Sequence, residues 1–280
     1  MSENKKDMSE KIFRTIDAEL TKRNWGIRAN GNSLGGAPHY YIIDYRGFTL
    51  ASGIIRYHYH KNDQGTTIFY RGQRQDWELR PSLYRGCGGE KDIKKVTKWH
   101  QNALSIISKD FDKSGDPEDR EALAQHYGLR TRFIDIVDNI GTALWFAYDE
   151  CQKEARQNES VGYIQIIAAP KEETEIIDLR RKPSQWLRPH IQQALCLRAN
   201  SPEKNLGKLS KLVVATFVVP CTNLRIWSNY DNIPRDYFYP NSELDQGAVY
   251  WEKAREALIN EKLLNKDGKP IDEKGELLYP

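Results

Sequence analysis

The run Leu212-Val213-Val214-Ala215-Thr216-Phe217-Val218-Val219 constrains this chain more than any other segment. It has no polar face. Half of it is valine, whose branched side chain fits a pleated surface. A continuous apolar run of this length reads as a strand covered on both faces, so it predicts the central strand of a sheet. Val161 to Ala168 is the second strong strand signal. The sheet then needs cover, and the helical periodicities supply it.

Residues 8–23 repeat Ile12, Phe13, Ile16 and Leu20 at helical spacing among charges, which predicts an N-terminal helical arm. Residues 91–111 present Ile93, Val96, Trp99, Leu104, Ile107 and Phe111 on one broad face. Asp116-Pro117-Glu118 is a helix start, since aspartate accepts from free N–H groups and proline loses nothing at the first position. That helix runs to about Tyr127 and stops at Gly128. Residues 139–151 form an unusually apolar helix around Ala143-Leu144-Trp145-Phe146-Ala147, and 243–263 a closing one.

Elsewhere the reading is of loops and hairpins. Gly26 to Pro38 is turn-rich and reads as a plain loop, because no Lys-Ser or Lys-Thr follows its glycines as a phosphate loop requires. His39–Asp44 and Phe48–Tyr57 read as strands around a turn at 45–47, and Tyr57–His60 and Thr67–Tyr70 as strands around 61–65. The fold class expected is α+β: a mixed, mainly antiparallel sheet flanked by helices, with an N-terminal helix and loop over 1–38 and a single domain over 39–280.

Lys and Arg number 42 against 39 Asp and Glu, a net charge of +3, which excludes a broad polyanion track. The 7 Trp, 15 Tyr and 8 Phe exclude a disordered chain. Cys87, Cys151, Cys196 and Cys221 form no CxxC pair, and four reduced thiols are expected. The first seven residues have no apolar core, and no segment is long and apolar enough to span a bilayer. A cytoplasmic protein is the simplest expectation, with no membrane partner.

Three segments concentrate chemistry. Tyr70-Arg71-Gly72-Gln73, with Trp77 and Leu79-Arg80-Pro81-Ser82-Leu83-Tyr84-Arg85, offers guanidinium groups beside a glycine. A planar guanidinium bonds two oxygens of a carboxylate or phosphate at once. A structural ion pair is the bland alternative for Arg71. The second segment runs from Glu121 through Gln125-His126-Tyr127-Gly128 to Thr131-Arg132-Phe133-Ile134-Asp135. His126 is suited to acid–base work near neutral pH, to donating to an anion, or simply to capping its helix. Asp135 pins Arg132 or a backbone turn, or acts in chemistry. The third segment, Arg188-Pro189-His190-Ile191-Gln192-Gln193, places amides before an apolar stretch, for a ligand or for buried backbone. His58 and His60 would share a strand face but lack a third ligand, and no metal is expected.

In combination these blocks resemble the FRG domain, a bacterial and phage family named for its Phe/Tyr-Arg-Gly start. The resemblance rests on Tyr70-Arg71-Gly72-Gln73, Trp77, Pro81-Ser82-Leu83 with Arg85, Glu121 with Leu123-Ala124-Gln125-His126-Tyr127-Gly128, Thr131-Arg132-Phe133-Ile134-Asp135, and Ala143-Leu144-Trp145-Phe146-Ala147. It covers residues 69–147, with a looser block at 188–196 holding Arg188 and Gln192. Departures are Arg130 for proline, Ile136-Val137 for Trp-Thr, and Ala194 and Cys196 for Gly and Phe.

The Tyr-Arg-Gly start is also similar to arginine-type ADP-ribosyltransferases. That likeness implies an NAD-using enzyme, with Arg71 on the pyrophosphate and Thr131 beside the nicotinamide. Gln192 then stands where a catalytic carboxylate is usual, so Glu121 or Asp135 would have to replace it. His126, Glu121 and Asp135 are therefore the candidate catalytic residues. Arg71, Gln73, Arg85, Gln125, Tyr127, Thr131, Arg132 and Gln192 are the candidate ligand contacts. The alternative is a non-catalytic module for a nucleotide or nucleic acid, with Arg71, Arg85, His126 and Arg132 around a phosphate and Tyr70, Trp77 and Tyr127 stacking a base. A defence or toxin setting is what the family resemblance implies.

Overall fold

The computed structural model describes residues 3–32, 36–62, 65–107, 116–152, 160–182, 185–200 and 209–279. Its main sheet contains β1 (Gly26–Asn32), β2 (Pro38–Ile42), β3 (Thr66–Gln73), β5 (Val161–Pro170) and β8 (Val213–Pro220), in the order β1-β2-β8-β5-β3. The apolar run at 212–219 is thus the middle strand. β2 and β8 run parallel, and the other pairs are antiparallel. A second sheet holds β4 (Ile134–Ile136), β7 (Leu195–Ala199) and β6 (Thr174–Asp178), all antiparallel. The fold is α+β with a mixed, mainly antiparallel main sheet.

Three hydrophobic clusters fill the spaces between layers. On one face of the main sheet lie α1 (Glu3–Arg23), α2 (Tyr45–Asn62) and α5 (Ile140–Cys151), whose buried residues pack with Tyr40, Tyr70, Ile164 and Phe217. Phe69, Ile167 and Val213 from the opposite face meet Ile134, Ile136, Leu195 and Leu197 between the two sheets. Beyond the second sheet, Cys196 and Ile177 pack with α3 (Glu90–Ile107), α4 (Pro117–Tyr127) and α9 (Gln246–Asn260). Strand alternation explains the division. Ile134 and Ile136 face inward between the sheets, so Asp135 between them faces α4.

Several expectations are corrected. The hairpins placed over 39–60 do not form. β2 is a strand, but Tyr45–Asn62 is helix α2. Asp44 starts it by accepting from the Arg46 amide at 2.8 Å, while its carbonyl accepts from Phe48 at 3.2 Å. Phe48, Ala51, Ser52 and Ile55 then fall on one buried stripe. His58 and His60, two apart on a helix, do not share a face. Gly26–Asn32 is strand β1, not loop, and pairs with β2. Ile12, Ile16 and Leu20 of α1 are buried in the same cluster as Ile42 and Phe48. Cys151 at the end of α5 and Cys221 at the start of α7 (Cys221–Trp227) form a disulfide with Cα atoms 6.4 Å apart, so two thiols, Cys87 and Cys196, are free. Phe111 lies outside the described residues. No described helix is long and apolar enough to cross a membrane.

Candidate functional site

β3 carries the first block. Tyr70 turns into the core, where its hydroxyl meets Ser52 at 2.8 Å, and its backbone exchanges hydrogen bonds with Val137 at 2.8 and 2.9 Å. Those bonds bring the end of β4 against β3. Gly72 faces α5, and a Cβ there would overlap the Ala143 carbonyl and the Ala147 amide. The glycine of the motif therefore lets a helix backbone lie directly on the strand. Arg71 points to the other side, and its Nη1 donates to the Asp135 carbonyl at 2.6 Å.

α4 carries the second block. Asp116 caps it by accepting from Glu118 N at 2.9 Å, and Gly128 ends it at φ +121°. This fixes Gln125, His126 and Tyr127 on the last turn. Gln192 lies just beyond the short helix α6 (Leu187–Ile191). Its Nε2 donates to the Phe238 carbonyl at 2.9 Å, which leaves Oε1 to accept from His126 Nδ1 at 2.9 Å. With the amide so placed, His126 carries a proton on Nδ1, and Nε2 points the other way. That nitrogen lies 3.4 Å from Asp135 Oδ1 and 3.6 Å from Cys196 Sγ.

The elements enclose a cleft of about 400 Å³. Arg71, Gln73, Arg85, Gln125, His126, Tyr127, Asp135 and Gln192 all line it, as do Trp77 and Tyr70. Gln73 is held back against the wall by its bond to the Trp77 carbonyl at 3.2 Å. Asp135 does not pin Arg132 but accepts from Gln125 Nε2, whose Oε1 accepts from the Thr131 hydroxyl. Thr131 is fully buried and stands behind the cleft as a support.

Glu121 and Arg132 are not brought to the cleft. Glu121 is wholly buried, and Arg132 embraces it with Nε at 3.1 Å and Nη2 at 2.5 Å, while His100 Nε2 lies 3.2 Å away. Burial alone would raise this carboxyl, but His100 and the Arg132 guanidinium outweigh it and hold it at about 2. The pair locks α4 to the start of β4.

The cleft arginines are unlike that pair. Among the described residues neither Arg71 nor Arg85 lies within ion-pair distance of a carboxylate. Arg85 donates to the Arg80 carbonyl at 3.3 Å. Its side chain keeps a path to solvent while protein surrounds it on the other sides, as befits the wall of a concavity. Loss of water, and then the neighbouring Arg71, bring its guanidinium down to about 10. It stays charged near neutrality.

Glu150 and Tyr239 also line the cleft and were not foreseen, while Phe146 and Arg188 were named in their blocks but not as ligand contacts. Arg188 donates to the His126 carbonyl at 2.9 Å and lies over the rings of Tyr127 and Tyr239, 4.7 and 5.6 Å from their centroids. Its place in the Arg-x-x-x-Gln block was a usable signal. Tyr127 gives its hydroxyl to Asp245 at 3.0 Å, and burial followed by that carboxylate pushes it well above the usual phenol range.

Residues 66–156 match the family model of the FRG domain. The chain carries an FRG domain. No curated protein and no solved structure matches the chain. The matched span runs from β3 through α5, so the FRG domain supplies Arg71, Arg85, Gln125, His126 and Asp135. Arg188, Gln192 and Tyr239 come from beyond it and complete the cleft.

Proposed function

We propose that the cleft binds a phosphate-bearing nucleotide, with Arg71 and Arg85 on the phosphates and the rings of Trp77, Tyr127 and Tyr239 beside the base or sugar. One observation carries this reading. The Arg71 and Arg85 guanidiniums line one cleft, and among the described residues no carboxylate lies within ion-pair distance of either. Such an arrangement costs free energy in the empty protein and is relieved by an anion bridging both. A cleft of about 400 Å³ falls within the usual size of a small-molecule site.

An NAD-using, ADP-ribosyltransferase-like reaction is the enzymatic form of this proposal. It requires a carboxylate to polarise a ribose hydroxyl, and Gln192 is unsuited, being neutral and committed to His126 and Phe238. Glu150 on the α5 wall and Asp135 on β4 are the carboxylates that reach the cleft. A binding module without turnover uses the same arginines and rings and needs neither acid.

Titration calorimetry with ADP-ribose and with NAD, alongside an assay of nicotinamide release, tests both levels. Arg71→Ala and Arg85→Ala should each weaken ADP-ribose binding by about tenfold to a hundredfold, as loss of a charge-assisted bond predicts. Nicotinamide release by the wild type that disappears in Glu150→Gln would support the enzyme. Binding of NAD without release would leave the module. Failure of the wild type to bind either compound would overturn the nucleotide reading.

A further inference from the structure

Strand register and helix capping bring three metal-type donors together, His126 and Asp135 from the lining of the cleft and Cys196 from the buried layer behind it. Asp135 on β4 and Cys196 on β7 are paired residues in the antiparallel ladder, so their side chains leave the sheet on the same face. That face is covered by the last turn of α4, which carries His126. The donor atoms of His126, Asp135 and Cys196 all lie within 4.8 Å of one another.

We propose that His126 Nε2, Asp135 Oδ1 and Cys196 Sγ hold a divalent cation of the zinc class, with the fourth coordination position open to the cleft. The distances suit this metal. Bonds of about 2.0 Å to nitrogen or oxygen and about 2.3 Å to sulfur place tetrahedral donors roughly 3.3 to 3.6 Å apart. Two edges of the triad are 3.4 Å for nitrogen to oxygen and 3.6 Å for nitrogen to sulfur, and the third, oxygen to sulfur, is within 4.8 Å. A mixed imidazole, thiolate and carboxylate set favours zinc over magnesium or calcium.

The outer contacts strengthen the assignment. A metal-binding histidine ordinarily donates its other ring N–H to a fixed acceptor, which sets the tautomer and aims the lone pair. Gln192 does this for His126, and it is itself fixed by the Phe238 carbonyl. Asp135 is aimed by Gln125, which is held by Thr131. Three donors therefore converge with two of them braced from behind. The rival role for Cys196, a nucleophile activated by His126, fails on access. Cys196 is wholly buried, so no substrate atom reaches its sulfur from solvent. A metal ligand needs only to reach the metal, and the cation displaces the thiol proton.

The inference goes beyond the nucleotide reading and does not depend on it. Cobalt(II) chloride added to the metal-depleted full chain gives a direct readout. One equivalent should produce the visible absorption of tetrahedral cobalt together with a sulfur-to-metal charge-transfer band. Cys196→Ser should lose that band with an unchanged circular dichroism spectrum. Gln192→Leu should weaken cobalt binding by about tenfold to a hundredfold. Should Cys196→Ser fail to fold, Asp135→Asn serves, because half of its side chain is exposed and its removal leaves the core intact. Unchanged cobalt affinity in Asp135→Asn would overturn the site. So would a wild type without the tetrahedral spectrum, or a charge-transfer band that survives in Cys196→Ser. Cobalt binding without ADP-ribose binding would leave this site standing and remove the nucleotide reading; the reverse would remove the site alone.

Discussion

Two arginine settings come from neighbouring blocks of the sequence, yet their physics is opposite. Arg132 closes on the wholly buried Glu121, which His100 also approaches, so the charge is matched on the spot. Arg71 and Arg85 line the same cleft, and neither has a carboxylate within ion-pair distance among the described residues. A matched buried pair is a structural device, costly to break from one side. The cleft arginines each bond a backbone carbonyl, but with no carboxylate beside them their charge is available to a ligand. Residue type alone does not separate them; the separation lies in where the nearest carboxylate points.

The largest expected effect breaks the matched setting. Glu121→Gln removes the charge and leaves Arg132 partnered by a neutral amide. The carboxyl is held at about 2 against an ordinary 4.5, which corresponds to about 3 kcal/mol of stability. Because the folded value is depressed, this contribution is complete above pH ~4.5 and disappears as pH falls towards 2. Urea melts at neutral pH should therefore show a loss of about 3 kcal/mol in the variant, and the difference from wild type should shrink towards zero in acid. A constant difference across that range would mean that the carboxylate charge is not what binds α4 to β4.

How much of this contrast could be read in the sequence depends on range. Local signals were faithful. Asp116-Pro117 and Gly128 bounded α4, and the apolar run at 212–219 became the central strand. The blocks of the FRG domain singled out Arg71, Arg85 and His126, which the fold brings to the lining of one cleft. What failed was of two kinds. In α2, aromatic and β-branched residues imitated strands, and only the cap at Asp44 and the stripe Phe48, Ala51, Ser52, Ile55 outweighed them. In the site, Cys196 lies 70 residues from His126, so no ligand spacing is visible. Glu150 and Tyr239 likewise reach the cleft only through packing. Glu121 and Arg132 sat in the right block and in the wrong place, because sequence adjacency to a site does not say which side of a helix faces it.

A middle-sized effect sharpens the comparison from the unmatched side. Gly72→Ala adds a methyl where α5 backbone already lies against β3. Neither backbone can step aside cheaply, so a loss of about 1 to 3 kcal/mol is expected, seen as a lower melting temperature. The strand must also shift beneath Arg71, so ADP-ribose affinity should fall in protein that remains folded. Gly72→Ala with wild-type stability would show that the motif glycine is not there for helix contact.

The smallest effect is the most discriminating, because it is an expected near-zero. Arg85→Ala deletes a guanidinium whose recorded bond is a single 3.3 Å contact to the Arg80 carbonyl. Its charge is disfavoured by lost hydration and by Arg71, so its removal takes away a repulsion along with that bond. Stability should stay within about 0.5 kcal/mol of wild type, the range of ordinary surface substitutions. Chemical denaturation at low salt is the appropriate measurement, since screening would hide the relieved repulsion. A loss approaching that of Glu121→Gln would place Arg85 in the same structural class as Arg132. The two settings would then differ in exposure only, and the case for an anion between Arg71 and Arg85 would lose its footing.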